Sequence, residues 1–250
     1  LEKMNEGLMY LQHLPTYIHN FEHDPRWKTK VSSHYLFHYF PNSEADRDIE
    51  YIAEKQEAAY KKIIAFLEIE EPNRPIEYFF YPDGQTKKEL MGDDWYAQSI
   101  CNEFRIHVLY TEKDKPIGEH EDTHLLSLPW GLSVGFLEEG FAEYMVGHAW
   151  DKFSHEKYCR DGYRQRYFPP ISTLFNHKEW TERSEINMIY FYSLAGAFVT
   201  YLIHIYGKKQ FRFLYSKINR GHSRNQHDVI FKVIYGKTID EVEVEFKSTI

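Results

Sequence analysis

The sequence predicts an α+β chain with its strands confined to the first half and helices filling the second. Three observations carry that reading. Residues 34–40, 76–81 and 104–110 are aromatic, β-branched or alternating, as strands are. Beyond Pro116 the apolar residues recur at helical spacing almost throughout. A composition of 42% hydrophobic and 27% charged residues is that of a globular chain and excludes a disordered one.

The elements follow in order. Residues 1–20 carry Leu8, Leu11, Leu14 and Ile18 at weakly helical spacing, interrupted by Pro15, so residues 1–32 read as an N-terminal helical extension. After the strand at 34–40, Ser43 caps a helix with Asp46 three residues on. Ile49, Ala53, Tyr60, Ile63, Ile64 and Leu67 form its apolar face. The strand at 76–81 ends at Pro82-Asp83-Gly84, a turn signal. The strand at 104–110 comes directly before the helical half and is a candidate edge strand, or else an ordinary sheet strand. Helical segments follow, broken near 129–135 and 169–170, and the last starts at Thr238 with Glu241 as its capping-box partner. No repeat or low-complexity linker divides the 250 residues. We therefore expect a single domain of two lobes, 33–130 and 131–250, behind the extension.

Charge and cysteine content narrow the function. A net charge of −8 argues against nucleic acid or an anionic membrane as partner. Cys101 and Cys159 are too few for a disulfide framework or a four-thiolate zinc site, and they read as small buried residues. Residues 186–207 carry no formal charge over 22 positions. Asn187, Ser193, Thr200, His204 and four tyrosines make them too polar for a membrane span, so a buried core helix is expected. Aromatic residues reach 17%, which predicts ring-lined core and clefts. No targeting segment is visible. A start at Leu1 leaves a removed signal or lipoprotein leader open, so compartment and oligomeric state stay undetermined.

The chemistry sits where the two halves meet, at His120-Glu121-Asp122-Thr123-His124, an HExxH. Two imidazoles four residues apart lie one turn apart on one helix face and can reach one ion. Zinc takes neutral imidazole nitrogens and needs a third protein ligand, leaving one position for water. Glu121 lies about 100° around the helix from His120, where it can face that water without ligating. In a chain with 14 histidines such a match arises by chance ~0.08 times, so the motif alone is suggestive and the third ligand decides. A metzincin would have Gly and His where Ser127 and Trp130 stand, so that scheme fails. Instead a second acidic helix follows, Phe136-Leu137-Glu138-Glu139-Gly140-Phe141-Ala142-Glu143-Tyr144. The break at 129–135 lets it fold back on the first.

These motifs resemble the gluzincin metallopeptidases, the thermolysin and aminopeptidase N superfamily also called peptidase MA. Its signature is HExxH followed by a helix with Glu-Gly-x-Ala-x-Tyr, which Glu139-Gly140-Phe141-Ala142-Glu143-Tyr144 matches. The resemblance covers about residues 33–250, with looser likeness at Tyr192 to Leu202, Tyr206-Gly207 and Tyr235 to Glu243. It implies a zincin-like fold with a cleft between a mixed α/β lobe and a helical lobe. It implies Zn²⁺ on His120, His124 and Glu139, rather than Glu138, with Glu121 as general base. Glu143, one turn after Glu139, occupies the place of an acid that orients a ligand histidine; the alternative is a solvated helix carboxylate. Tyr192 is the candidate for stabilising the oxyanion, or else a core tyrosine.

Two departures shape the expectation. The Gly-Ala-Met-Glu-Asn stretch that holds a substrate's free amine in the aminopeptidases has no match between Trp95 and Tyr110. The family's tyrosine often precedes a glycine by three residues, whereas Tyr192 precedes Gly196 by four. The expected function is a zinc metallopeptidase acting on a peptide or protein, leaning towards endopeptidase action. Its rivals are a zincin-fold binding module with little hydrolysis and a zinc hydrolase of another substrate. His148, His155, His177, His204, His222 and His227 have no ligand spacing and read as structural or exposed.

Overall fold

The computed structural model describes residues 24–250, so the apolar positions of residues 1–20 lie outside the described residues. The strands are β1 (Lys28–Val31), β2 (Tyr35–Tyr39), β3 (Ile76–Tyr81), β4 (Ala97–Ile100) and β5 (Arg105–Leu109). The helices are α1 (Glu44–Leu67), α2 (Gly84–Met91), α3 (Glu119–Leu126), α4 (Gly135–Val146), α5 (His155–Arg164) and the single turn α6 (Ile171–Leu174). They continue with α7 (His177–Ile186), α8 (Met188–Tyr206), α9 (Lys208–Lys217), α10 (Arg224–Tyr235) and α11 (Ile239–Lys247). The chain is α+β, and it divides into two compact units, 1–125 and 126–250, at a boundary inside α3.

The first unit is built on a five-stranded sheet of order β1-β2-β3-β5-β4. Strands β2, β3 and β5 run parallel, while β1 and β4 close the two edges antiparallel. Both faces of β3 are covered, which is why Ile76–Tyr81 is a near-continuous apolar run. On one face Tyr35, Phe37, Tyr78 and Phe80 pack together, with Tyr60 of α1 standing edge-on to Tyr35. On the other, Phe40, Phe79, Tyr81, Leu90 and Met91 form a cluster closed by Trp27, Ile100 and Leu109. Helix α1 starts where expected, its Ser43 side chain accepting from the Asp46 amide.

Two expectations are corrected in this unit, and of the two readings of residues 104–110 the ordinary sheet strand holds. Residues 28–31, placed in a helical extension, form β1: their side chains alternate, and Lys28 and Lys30 on one face reach Asp46 and Glu50 of α1. Pro82-Asp83-Gly84 is a helix start rather than a closed turn, because Asp83 accepts from the Thr86 amide at 2.7 Å and caps α2. The strand at 104–110 is not an edge. Strand β5 pairs with β3 on one side and β4 on the other, and the edge belongs to the short β4.

The second unit is helical. Its central helix is α8, long and apolar enough to cross a membrane, yet most of its residues are buried in this unit, among them Phe191, Leu194, Phe198 and Leu202. Helix α4 lies against it at a distance that only glycine permits. A Cβ at Gly140 would stand 2.6 Å from the Ala195 carbonyl oxygen, and one at Gly196 would stand 2.7 Å from Glu143 Cβ. The last helix begins at a full capping box of Thr238 and Glu241, as expected.

Candidate metal centre

The HExxH residues lie on α3, an eight-residue helix too short to hold its place by its own hydrogen bonds. Its position comes from the sheet and from α1. Asp122, fully buried, accepts from the Tyr35 hydroxyl and from Gln56 Nε2, at 3.2 Å in the latter case. Gln56 also turns its Oε1 to the Gly118 amide, just before the helix starts. Lys62 pairs with Glu119 at 2.7 Å. Burial first, and then the neighbouring Glu121 and Glu119 charges, push the Asp122 carboxyl well above the ordinary carboxylate range, while Tyr35 and Gln56 pull against them. Acidic residues in the first turn are in their favourable place relative to the helix dipole.

With α3 fixed, the two imidazoles stand 5.2 Å apart between ring centroids and nearly perpendicular, an arrangement in which two ring edges can face one point. Glu139, from the first half of α4, joins them. One donor atom from each of His120, His124 and Glu139 lies within 4.8 Å of the others, and all three side chains are half-buried. Three donors gathered this closely are a set that one ion could bridge. Two neutral imidazoles and a carboxylate suit zinc and leave room for a fourth ligand. The residues fit a metal ion of this type.

Glu138 is excluded from the set by its partners, accepting from the Ser133 amide at 2.8 Å and pairing with Arg220 at 2.6 Å. Glu143 is 1% exposed, so the solvated-carboxylate alternative does not hold. Its carboxylate stands 3.5 Å from His155 Nε2, and its backbone carbonyl lies 3.3 Å from the same nitrogen. The other ring nitrogen of His155 lies 3.3 Å from Ser193 Oγ. His155 is therefore structural, as expected, with burial pushing its pKa down. Tyr192 stands between Trp150 and Trp180, 5.7 Å from each between ring centroids.

Two contacts of the HExxH helix escape sequence reasoning. The Asp122 cage joins residues 87 and 66 positions apart, and no local pattern announces it. The other is Ser99 on β4, whose Oγ donates to Glu121 Oε2 at 2.5 Å. Its segment, Ala97–Ile100, is only four residues long and too short to show an alternation.

No protein-family model matches this chain, and no curated protein matches it. The assignment therefore rests on the geometry: a mixed α+β protein with a His-His-Glu group able to hold a metal ion.

Proposed function

We propose that the chain is a zinc-dependent metallopeptidase of gluzincin type. The observation that carries this reading is the convergence of His120, His124 and Glu139, with Glu121 on the same helix as the two histidines. When bound there, zinc supplies Lewis acidity, polarising a carbonyl and lowering the pKa of water. The chain's own groups do the rest. Glu121 accepts the proton of the attacking water and passes it to the leaving amine. Tyr192, if brought to the substrate, donates to the oxygen that becomes negative. Glu143 is the acid proposed to steady a ligand histidine, and its burial supports a fixed rather than a solvated carboxylate.

We infer endopeptidase action from charges that are already engaged. Glu103 and Arg105, the two candidate anchors for a substrate terminus, pair with each other at 2.8 Å, and Arg105 approaches Glu77 at 3.7 Å. An exopeptidase needs such a group held for the terminus itself. A peptide cleaved at an internal bond, compared with free and blocked termini, tests this by mass spectrometry. Loss of single terminal residues that acetylation abolishes would overturn it.

The activity itself is tested with Glu121→Gln. The purified protein is expected to hold about one zinc per chain by elemental analysis. The variant is expected to keep the metal and lose hydrolysis by about a thousandfold or more, since an amide cannot accept the proton. Wild type and variant equally inactive on a broad peptide library, both loaded with zinc, would favour the binding-module reading.

A further inference from the structure

We propose that Ser99 is a positioning residue for Glu121, fixing the carboxylate of the general base from the edge strand of the sheet. This rests on the reading of Glu121 as that base. The Ser99 hydroxyl lies 2.5 Å from Glu121 Oε2 and 3.1 Å from the Glu121 backbone carbonyl, so it meets both ends of the same residue. A hydroxyl donating to a carboxylate at this distance is a charge-assisted hydrogen bond, stronger than a neutral one. A glutamate on a helix surface otherwise samples several rotamers, and a base is effective only in the orientation that faces the reacting water. With Oε2 held by Ser99, Oε1 is the oxygen left to take the proton.

The strand carrying Ser99 is itself tied at both ends. Ahead of β4, the fully buried Lys87 pairs with Asp93, which also accepts from the Trp95 amide at 3.0 Å and from Gln98 Nε2 at 3.4 Å. Behind it, a tight reversal runs through Cys101 to Phe104. The Glu103 amide donates to the Ile100 carbonyl at 3.1 Å, and Phe104 takes a left-handed φ of 61°. Antiparallel pairing then sets Ser99 opposite Ile106 of β5. A side chain supported in this way can hold another to a fraction of an ångström, which a loop residue cannot. Lys87 and Asp93, which no motif singles out, thereby acquire a purpose: they anchor the approach to the strand that orients the base.

The test uses zinc-loaded wild type, Ser99→Ala, Ser99→Thr, Ser99→Cys, Glu121→Gln and the double variant Ser99→Ala/Glu121→Gln. Zinc content is measured by elemental analysis and affinity for acetohydroxamic acid by calorimetry. The probe combines metal chelation with a hydroxyl proton that a neighbouring carboxylate accepts, so it reports the placement of Glu121 without turnover. Ser99→Ala is expected to keep its zinc and bind the probe about tenfold more weakly, the scale of one hydrogen bond to a charged group. Ser99→Thr, which keeps the hydroxyl, should stay within about twofold of wild type, and Ser99→Cys, a weaker donor of similar shape, should fall between. In the Glu121→Gln background, Ser99→Ala should cause no further loss. Ser99→Ala or Ser99→Cys binding like wild type, or an equal loss in both backgrounds, would overturn the inference while leaving the metallopeptidase reading in place. Wild type that holds no zinc would remove that reading first, and the inference with it.

Discussion

Helices α3 and α4 are held in place by different physics. In the sheet-containing unit, α3 is held by polar contacts at long sequence range: Tyr35 and Gln56 on Asp122, Gln56 on Gly118, and Ser99 on Glu121. In the helical unit, α4 is held by close packing. Gly140 and Gly196 let α4 and α8 approach to backbone contact, and Phe136, Trp180 and Phe198 fill the space beside them. A hydrogen-bonded support can lose one partner at moderate cost and remain in place. A close-packed one tolerates no added atom, because nothing around it can yield. The lesson is that mutation of the surroundings should cost more stability at α4 than at α3.

The sharpest way to break that comparison is Gly140→Ala. The new Cβ would meet the Ala195 carbonyl oxygen at 2.6 Å and Val199 Cγ2 at 2.7 Å. Of these, the carbonyl is backbone and cannot rotate away. A loss of about 3 kcal/mol of stability is expected, outweighing the gain of about 1 kcal/mol that alanine brings to a helix interior. Denaturant unfolding measures it, and a variant as stable as wild type would show that the α4–α8 contact is not tight. Tyr35→Phe probes the polar side. It keeps the ring and removes one donor to Asp122, so about 1–2 kcal/mol should be lost. A larger loss than Gly140→Ala would reverse the ranking of the two supports.

A third test uses acid. Burial, then the charges of Lys87, Arg105 and His38, push the pKa of fully buried His107 well below its ordinary value. A depressed histidine pKa means that below about pH 6.5 the unfolded chain binds a proton that the folded chain does not. Stability from this group is present above that pH and falls as the solution is acidified, by at most about 1.4 kcal/mol per pH unit. His107→Gln should flatten this slope in unfolding measured between pH 7 and pH 5, and an unchanged slope would assign the acid sensitivity elsewhere. His155, His177 and His227 in the helical unit are shifted the same way, so both units carry such groups. The smallest effect concerns the thiols. Cys159 is fully buried, with burial pushing its thiol up, whereas Cys101 in the β4–β5 reversal is half-buried. Native protein treated with iodoacetamide should alkylate at Cys101 first, and equal rates would mean that the helical unit opens readily.

How much of this was legible beforehand follows from the range of each interaction. The caps at Ser43 and Thr238, the apolar face of α1 and the strands at β2, β3 and β5 are local patterns, and they fall where the spacing places them. The strand at 104–110 stays open between an edge and an interior strand because a two-sided apolar strand and an alternating edge strand look alike over seven residues. Only the pairing of β5 with both β3 and β4 separates them. Residues 28–31 show the same limit: four residues carry no period, and their pairing with β2 made them a strand.

By itself, the sequence determined the chemistry offered. An HExxH on a helix puts two imidazoles one turn apart whatever surrounds it, because 3.6 residues make a turn. A Glu-Gly pair on the next helix supplies an acid beside a residue that permits close approach. What only the tertiary structure decided is which groups meet. Glu138 went to the Ser133 amide and Arg220, positions that no local pattern pairs with it. Ser99 came to Glu121, and Tyr35 and Gln56 to Asp122, across 22, 87 and 66 residues. Contacts at such separations leave no periodicity in the chain. They exist because burying the sheet's aromatic faces fixes the strands, and the strands carry these polar side chains to their partners.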